Sequence, residues 1–239
     1  MPTDFLIFGA HPDDVEWGAG GISILLKANR VSFAFADLTR GELGSRGTVE
    51  QRSEEAQRAA EFLGAECREN LEMPDGKLVD SPDARMEVAS VIRRHRPHVV
   101  LAPYWIDRHP DHAAAGLMVR NSLLYCTLTK TQDPNPPHKP ALFLYYLLHR
   151  FEQPSFVLDI SAQYPQKVSA LRLHESQFSR TASQFGVIPL GGDDYLFSLE
   201  SRNRFFGSLV GVKHGEAFVS DGPLSISQAG IFTRACGII

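Results

Sequence analysis

The chain has 239 residues, of which 43% are hydrophobic and 22% charged, the proportions of a folded globular protein able to bury a core rather than of a disordered tract. A formal net charge of −4 supplies no basic footprint and argues against nucleic acid or an anionic membrane surface as principal partner. The cysteines Cys67, Cys126 and Cys236 are odd in number and form no CxxC pair, the opening residues have no signal-peptide succession, and no apolar run nears the ~20 residues that span a bilayer, so a cytoplasmic protein is expected.

Residues 5–10, 32–38 and 98–103 are short apolar or β-rich runs bounded by turn-formers, the pattern of parallel strands buried on both faces. Between them, 21–29, 50–63 and 83–96 have helical spacing. This β-α-β-α-β alternation predicts an α/β fold, a three-layer sandwich around a mostly parallel, Rossmann-like sheet. Residues 111–127 form a further predicted helix with Leu117, Leu124 and Leu128 on one face. Four prolines within 131–140 then preclude regular structure. Residues 141–148 and 155–160 read as late strands, and 163–178 and 199–210 as late helices. With no repeat and no shift in composition, one domain over 1–239 is expected.

The stretch GAHPDDVEWGAGG follows the first predicted strand and crowds His11, Asp13, Asp14 and Glu16 into six residues. Loops at the carboxyl ends of parallel strands are where such sheets bind ligands. Gly18-Ala-Gly-Gly lacks the G-x-G-x-x-G spacing, and two carboxylates at the turn would repel a pyrophosphate, which disfavours a dinucleotide. A divalent cation would neutralise the carboxylates, whereas the plain structural alternative has Asp13 or Asp14 capping the following helix. A second stretch, Trp105-Ile-Asp-Arg-His-Pro-Asp-His, follows another predicted strand and places His109 and His112 three residues apart. If the two strand ends are neighbours, His11, Asp14 and one of those histidines form a three-ligand site with nitrogen and oxygen donors. Three protein ligands with an open position is the arrangement of catalytic zinc.

These residues, His-Pro-Asp-Asp with Glu16 two places on and the distal His-Pro-Asp-His, resemble the LmbE/PIG-L-like zinc-dependent N-deacetylases. The likeness continues through residues 39–48 (TRGELGSRGT), 52–56 (RSEEA), 73–76 (MPDG) and 174–177 (HESQ), and is greatest toward the bacillithiol-biosynthesis branch, which deacetylates N-acetylglucosaminyl malate. A tyrosine that the mycothiol branch tends to carry two residues before the first distal histidine is replaced by Asp107, in keeping with that branch. The resemblance implies Zn²⁺ on His11, Asp14 and His112, with Fe²⁺ or another divalent ion as an alternative. It implies Asp13 as general base, His109 as an imidazolium that stabilises the oxyanion or protonates the leaving amine, and Asp111 as the group orienting one of the histidines. It also implies a homo-oligomer, in many relatives a hexamer.

Arg46, Arg52, Asp75 and Arg108 are expected to hold substrate, since arginine grips a carboxylate such as malate through paired hydrogen bonds and an aspartate accepts from sugar hydroxyls. The alternative for Arg52 is a surface pair with Glu54 or Glu55. His174 and Gln177 are expected to face the pocket from a late helix, and Gly215-Glu216 to form part of its rim; no role is assigned to His149 or to the tail after Pro223. Two other activities compete with the malate conjugate: deacetylation of a chitooligosaccharide or other N-acetylated small molecule, and a non-catalytic carbohydrate- or metal-binding module. Asp13 separates the last of these, because a binding module needs no spare carboxylate beside three ligands.

Overall fold

A computed structural model of the protein describes residues 2–178 and 193–238. Its order is β1 (Phe5–Gly9), α1 (Asp14–Ala28), β2 (Phe33–Thr39), α2 (Val49–Leu63), β3 (Arg68–Met73), α3 (Pro82–His95), β4 (Val99–Pro103), α4 (Pro110–Tyr125), β5 (Leu142–Tyr146), β6 (Phe156–Asp159), α5 (Tyr164–Arg172), α6 (Glu175–Phe178), α7 (Asp193–Leu209), β7 (Gly215–Ser220) and α8 (Ile226–Ala235). The strands form one sheet in the order β3-β2-β1-β4-β5-β7-β6. Pairing is parallel from β3 to β5, and β7 runs antiparallel to both its neighbours.

Alternation along β1 explains the three layers: Phe5 and Ile7 enter the core beneath α1, α2 and α5, whereas Leu6 and Phe8 enter the core beneath α3 and α4. Because β1 is flanked by β2 on one side and β4 on the other, the order in which strands are added to the sheet reverses across the β1–β4 junction. That junction is the topological switch point, and both sequence motifs lie at its carboxyl end. No helix among the described residues is long and apolar enough to cross a membrane.

Several elements differ from the sequence expectation. Helix α1 starts at Asp14, not residue 21, but is broken at Ala19 (φ −134°, ψ 16°). The predicted span is therefore its second leg, whose first amides, Gly21 and Ile22 N–H, donate to the Glu216 carboxylate at 2.6 and 2.8 Å. Lys167 Nζ donates to the same buried carboxylate. Glu216 is thus a cap reaching across from β7, not a rim residue. In α4 the face carrying Leu117 and Leu124 is exposed, Leu128 lies beyond the helix end and is exposed as well, and Ala115, Met118 and Val119 make the buried face instead. The predicted helix over 163–178 is two, α5 and α6. The tail after Pro223 contains α8, which lays Phe232 against Phe5 and Phe218.

Candidate metal centre and active site

The β1–α1 loop and the β4–α4 loop bring His11, Asp13, Asp14, His109 and His112 to one cavity of about 470 Å³, which Leu43, Gly44, Arg52, Asp75, Arg108, His149 and Tyr195 also line. Asp14 closes the first loop: its Oδ2 accepts from Ala10 N–H and His11 N–H, each at 2.9 Å. That bonding leaves Asp14 Oδ1 3.2 Å from His112 Nε2, while Oδ2 lies 3.5 Å from His11 Nδ1. Asp13 is the N-cap residue of α1, yet its side chain makes no capping bond. The carboxylate is free for the cavity, with Arg52 Nη2 3.8 Å away. Its backbone sits at φ 133°, ψ −20°, a region that favours glycine.

The remaining ring nitrogens are also held. His112 Nδ1 lies 3.1 Å from Asp107 Oδ1, and His11 Nε2 lies 3.2 Å from Asp75 Oδ1 and 3.4 Å from Asp111 Oδ2. Asp111 thereby contacts His11 with its carboxylate, while its N–H donates to His109 Nδ1, making His109 the N-cap of α4. Gly116, one turn beyond His112, allows α4 to approach the backbone of Pro103 and Trp105, where an added Cβ would come within 2.4 Å of the Pro103 carbonyl oxygen.

Charge explains the protonation of this cluster. Burial alone would lower the pKa of His11, but Asp111, Asp14 and Asp75 outweigh it and push the ring up to about 12. Burial likewise opposes the rise of His112 to about 9, which Asp14 and Asp107 produce. Asp14 falls well below the usual carboxylate range because His112 and His11 overcome its burial. Asp13 moves the other way: burial raises it, with Arg52 only partly compensating, as suits a proton acceptor. For His109, burial and the neighbouring His112 and His11 lower the pKa. The expected imidazolium is therefore disfavoured. With Nδ1 accepting from Asp111 N–H, the neutral ring carries its proton on Nε2.

The donor set fits a divalent cation, whose charge would replace the ring protons that the surrounding carboxylates otherwise hold on His11 and His112. Two buried imidazoles and a buried carboxylate converge, each braced from behind by backbone amides or by a further carboxylate, as in metal sites whose ligands are oriented by outer partners. One ring nitrogen from each of His11, His109 and His112 lies within 4.8 Å of the others, as do donor atoms of His11, Asp75 and Asp111 and of Asp107, His112 and His149, which gives three rival sets among the described residues.

Other expected residues are placed differently. Arg52 is buried and donates to Gly41 O and Pro12 O, fastening two loops instead of pairing with Glu54 or Glu55. Both oxygens of Asp75 are engaged, by His11 and by Leu43 N–H. Arg46 and Gln177 bind each other, Arg46 Nη1 donating to Gln177 O and Gln177 Nε2 to Arg46 O, both at 2.9 Å. His174 is buried with Nε2 3.3 Å from Glu16 Oε1. Among the described residues, Arg46, His174 and Gln177 do not line the cavity, because those pairings turn their polar atoms elsewhere. Arg108 is exposed on the cavity wall.

Sequence reasoning missed Asp107, His149 and Tyr195. Asp107 accepts from His149 N–H and lies 3.1 Å from His149 Nδ1 as well as from His112 Nδ1, so one carboxylate aligns two rings stacked at 5.1 Å. Its only sequence signal is an acidic residue two places before His109. Tyr195 packs on Trp17 at 4.2 Å between ring centroids.

The sequence model of the family described as PIG-L: GlcNAc-PI de-N-acetylase matches residues 6–123, a span that contains both motifs. Diacetylchitobiose deacetylase of Thermococcus kodakarensis is 32% identical over 183 residues, covering 70% of this chain and 67% of the relative. A 4-oxalmesaconate hydratase of Pseudomonas putida is 27% identical over 76% of this chain and 79% of its own length. The solved structure of the conserved protein TT1542 from Thermus thermophilus matches with a TM-score of 0.84 at 36% identity, covering 93% of this chain and 96% of that one. With the matched span containing both the β1 and the β4 loop and the likeness extending over the whole sheet, this chain belongs to the PIG-L family of de-N-acetylases.

Proposed function

We propose that the protein is a metal-dependent N-deacetylase of N-acetylglucosamine-type substrates. The observation that carries the reading is the convergence of His11, Asp14 and His112 in one cavity with two groups left over, Asp13 and His109. In this reading His11, Asp14 and His112 hold a divalent ion, Zn²⁺ by family resemblance. When bound, the ion supplies Lewis-acid polarisation of the amide carbonyl and acidifies water. Asp13, its basicity raised by burial, accepts the proton of the attacking water and returns it to the leaving amine as the C–N bond breaks. His109, neutral and protonated at Nε2, donates a hydrogen bond to the oxygen on which charge develops, and Asp111 N–H keeps the ring in that tautomer. Asp107 and His149 brace one side of the cavity behind His112.

Among N-acetylated sugars the conjugate with malate is our first choice. Arg108, exposed on the cavity wall, supports a carboxylate-bearing substrate now that Arg46 and Arg52 are committed to other partners. A chitooligosaccharide is the alternative, supported by the Thermococcus relative. The hydratase relative motivates a second reaction class on the same scaffold. We extend the proposal to a single domain, cytoplasmic residence and, by family resemblance, a homo-oligomer; one sheet joining the described strands supports the first, and an odd number of cysteines with no CxxC pair supports the second.

The test is acetate release from N-acetylglucosaminyl malate, free N-acetylglucosamine and N,N'-diacetylchitobiose, with added Zn²⁺ and after chelation. Chelation should abolish turnover and Zn²⁺ restore it, with kcat/KM for the malate conjugate at least about tenfold above the others, the worth of one charge-assisted pair. Preference for diacetylchitobiose would replace the substrate. A metal-loaded protein that releases no acetate but hydrates an unsaturated dicarboxylate would replace the reaction.

A further inference from the structure

The loop over residues 41–47 is fastened at both ends. Gly41 (φ +67°) and Gly47 (φ +71°) bound it, in backbone conformations that glycine adopts without strain. At its far end stands the reciprocal Arg46–Gln177 pair. At its near end Glu42 Oε1 accepts from Asp75 N–H at 2.9 Å, and Leu43 N–H donates to Asp75 Oδ2 at 2.8 Å. Leu43 is 67% exposed, so apolar burial contributes little to holding this segment, and the hydrogen bonds do most of it. Leu43 and Gly44 nevertheless line the cavity. The other oxygen of Asp75 lies 3.2 Å from His11 Nε2.

We propose that Asp75 is a positioning residue that couples the seating of the 41–47 strap over the cavity to the candidate metal ligand His11. The inference rests on the metal reading above. One carboxylate orients the ring through Oδ1 and holds the strap amide through Oδ2, so fixing either partner fixes the carboxylate for the other. Ordering on one side lowers the ordering cost on the other, and such coupling is reciprocal: metal bound by His11 steadies the strap, and a ligand that seats the strap tightens the metal. Asp75 then acts on substrate through the strap it holds, not by accepting from a sugar hydroxyl.

Hydrogen exchange of residues 41–47 in the full chain, with and without Zn²⁺, tests this, with zinc uptake followed separately by calorimetry. Zinc is expected to slow exchange at Leu43 by roughly fivefold or more in the parent protein, the low end of ordinary coupling. Asp75→Ala should still take up zinc, more weakly, and lose the slowing; Asp75→Asn, closer in shape, should show it reduced. Gln177→Ala should exchange faster with and without zinc and retain the zinc effect, because it removes one of the two far-end bonds, Gln177 Nε2 to Arg46 O, and leaves the near end intact. Zinc uptake without slowing in the parent protein, or full slowing in Asp75→Ala, overturns the coupling and leaves the metal reading standing. Absence of zinc uptake by the parent protein overturns both.

Discussion

Asp13→Gly is expected to melt above the parent protein while losing most turnover, and Asp13→Asn to lose turnover with no gain in stability. The Asp13 backbone lies at φ 133°, where a side chain other than hydrogen costs about 1–3 kcal/mol. Glycine removes that strain and forfeits no cap bond, since the Asp13 side chain makes none. Its greater flexibility when unfolded returns about 0.5–1 kcal/mol. The net gain of about 1 kcal/mol corresponds to a rise of ~2–4 °C in Tm for a chain of this size. Turnover should fall ~10²- to 10⁴-fold in both variants, the usual contribution of a positioned base. Bound metal should be unchanged, because the carboxylate removed is not one of the three donors. Differential scanning calorimetry, acetate release and metal content check the three parts. Near-normal activity in Asp13→Asn would remove Asp13 as the base, and a lower Tm for Asp13→Gly would remove the strain.

Arg68→Met should have the largest effect on stability, a loss of about 3–5 kcal/mol, the usual cost of leaving a buried charge without its partner. Arg68 reaches under the β1–α1 loop: Nη1 lies 2.5 Å from Glu16 Oε1, and Nε and Nη2 bind the Asp37 carboxylate at 2.6 and 2.9 Å. All three groups are buried, with His174 completing the cluster beside Glu16. Burial would raise the Glu16 pKa, but Arg68 and then His174 bring it down from 4.5 to about 2. A depressed carboxyl stabilises the fold above its unfolded value, and that stabilisation is lost as pH falls toward the folded one. Because the unfolded chains of parent and variant titrate alike, the deficit of Arg68→Met should shrink as pH falls from the value at which Glu16 titrates in the variant, which the loss of Arg68 raises, toward the parent's value of about 2. Urea titrations across that range read it out, and a deficit that does not vary with pH would mean that packing, not charge, is what Arg68 supplies.

How far the fold is legible depends on where each element sits in the sheet. β1, β2 and β4 are buried on both faces, so their sequences are apolar runs, broken in β2 only near its end by Asp37, which pairs with Arg68. β3, at the sheet edge, reads RENLEM and has no such run. α1 escapes detection at its start because Gly18 and Gly21 weaken the helical pattern; both stand where a Cβ would strike Tyr146 or Ile160 and Glu216. β7 carries Glu216 in its interior, a residue the strand tolerates only because α1 amides and Lys167 satisfy it from afar. α4 is apolar on two faces, and spacing alone selects the wrong one.

The two motifs do bring their residues to one cavity, since each is a short loop at the end of a recognisable strand. What surrounds them depends on contacts between distant segments. His149 follows β5 and meets Asp107 across 42 residues, and Arg46 meets Gln177 across 131. No local pattern carries such partnerships.

The most direct test of the account is anomalous diffraction at the zinc edge from crystals of the zinc-loaded protein. One ion per chain held by His11, Asp14 and His112, with Asp13 beside it and unbound, is the result expected. An ion held by His11, His109 and His112, by His11, Asp75 and Asp111, or by Asp13 would contradict the ligand set and with it the roles given to Asp13 and His109.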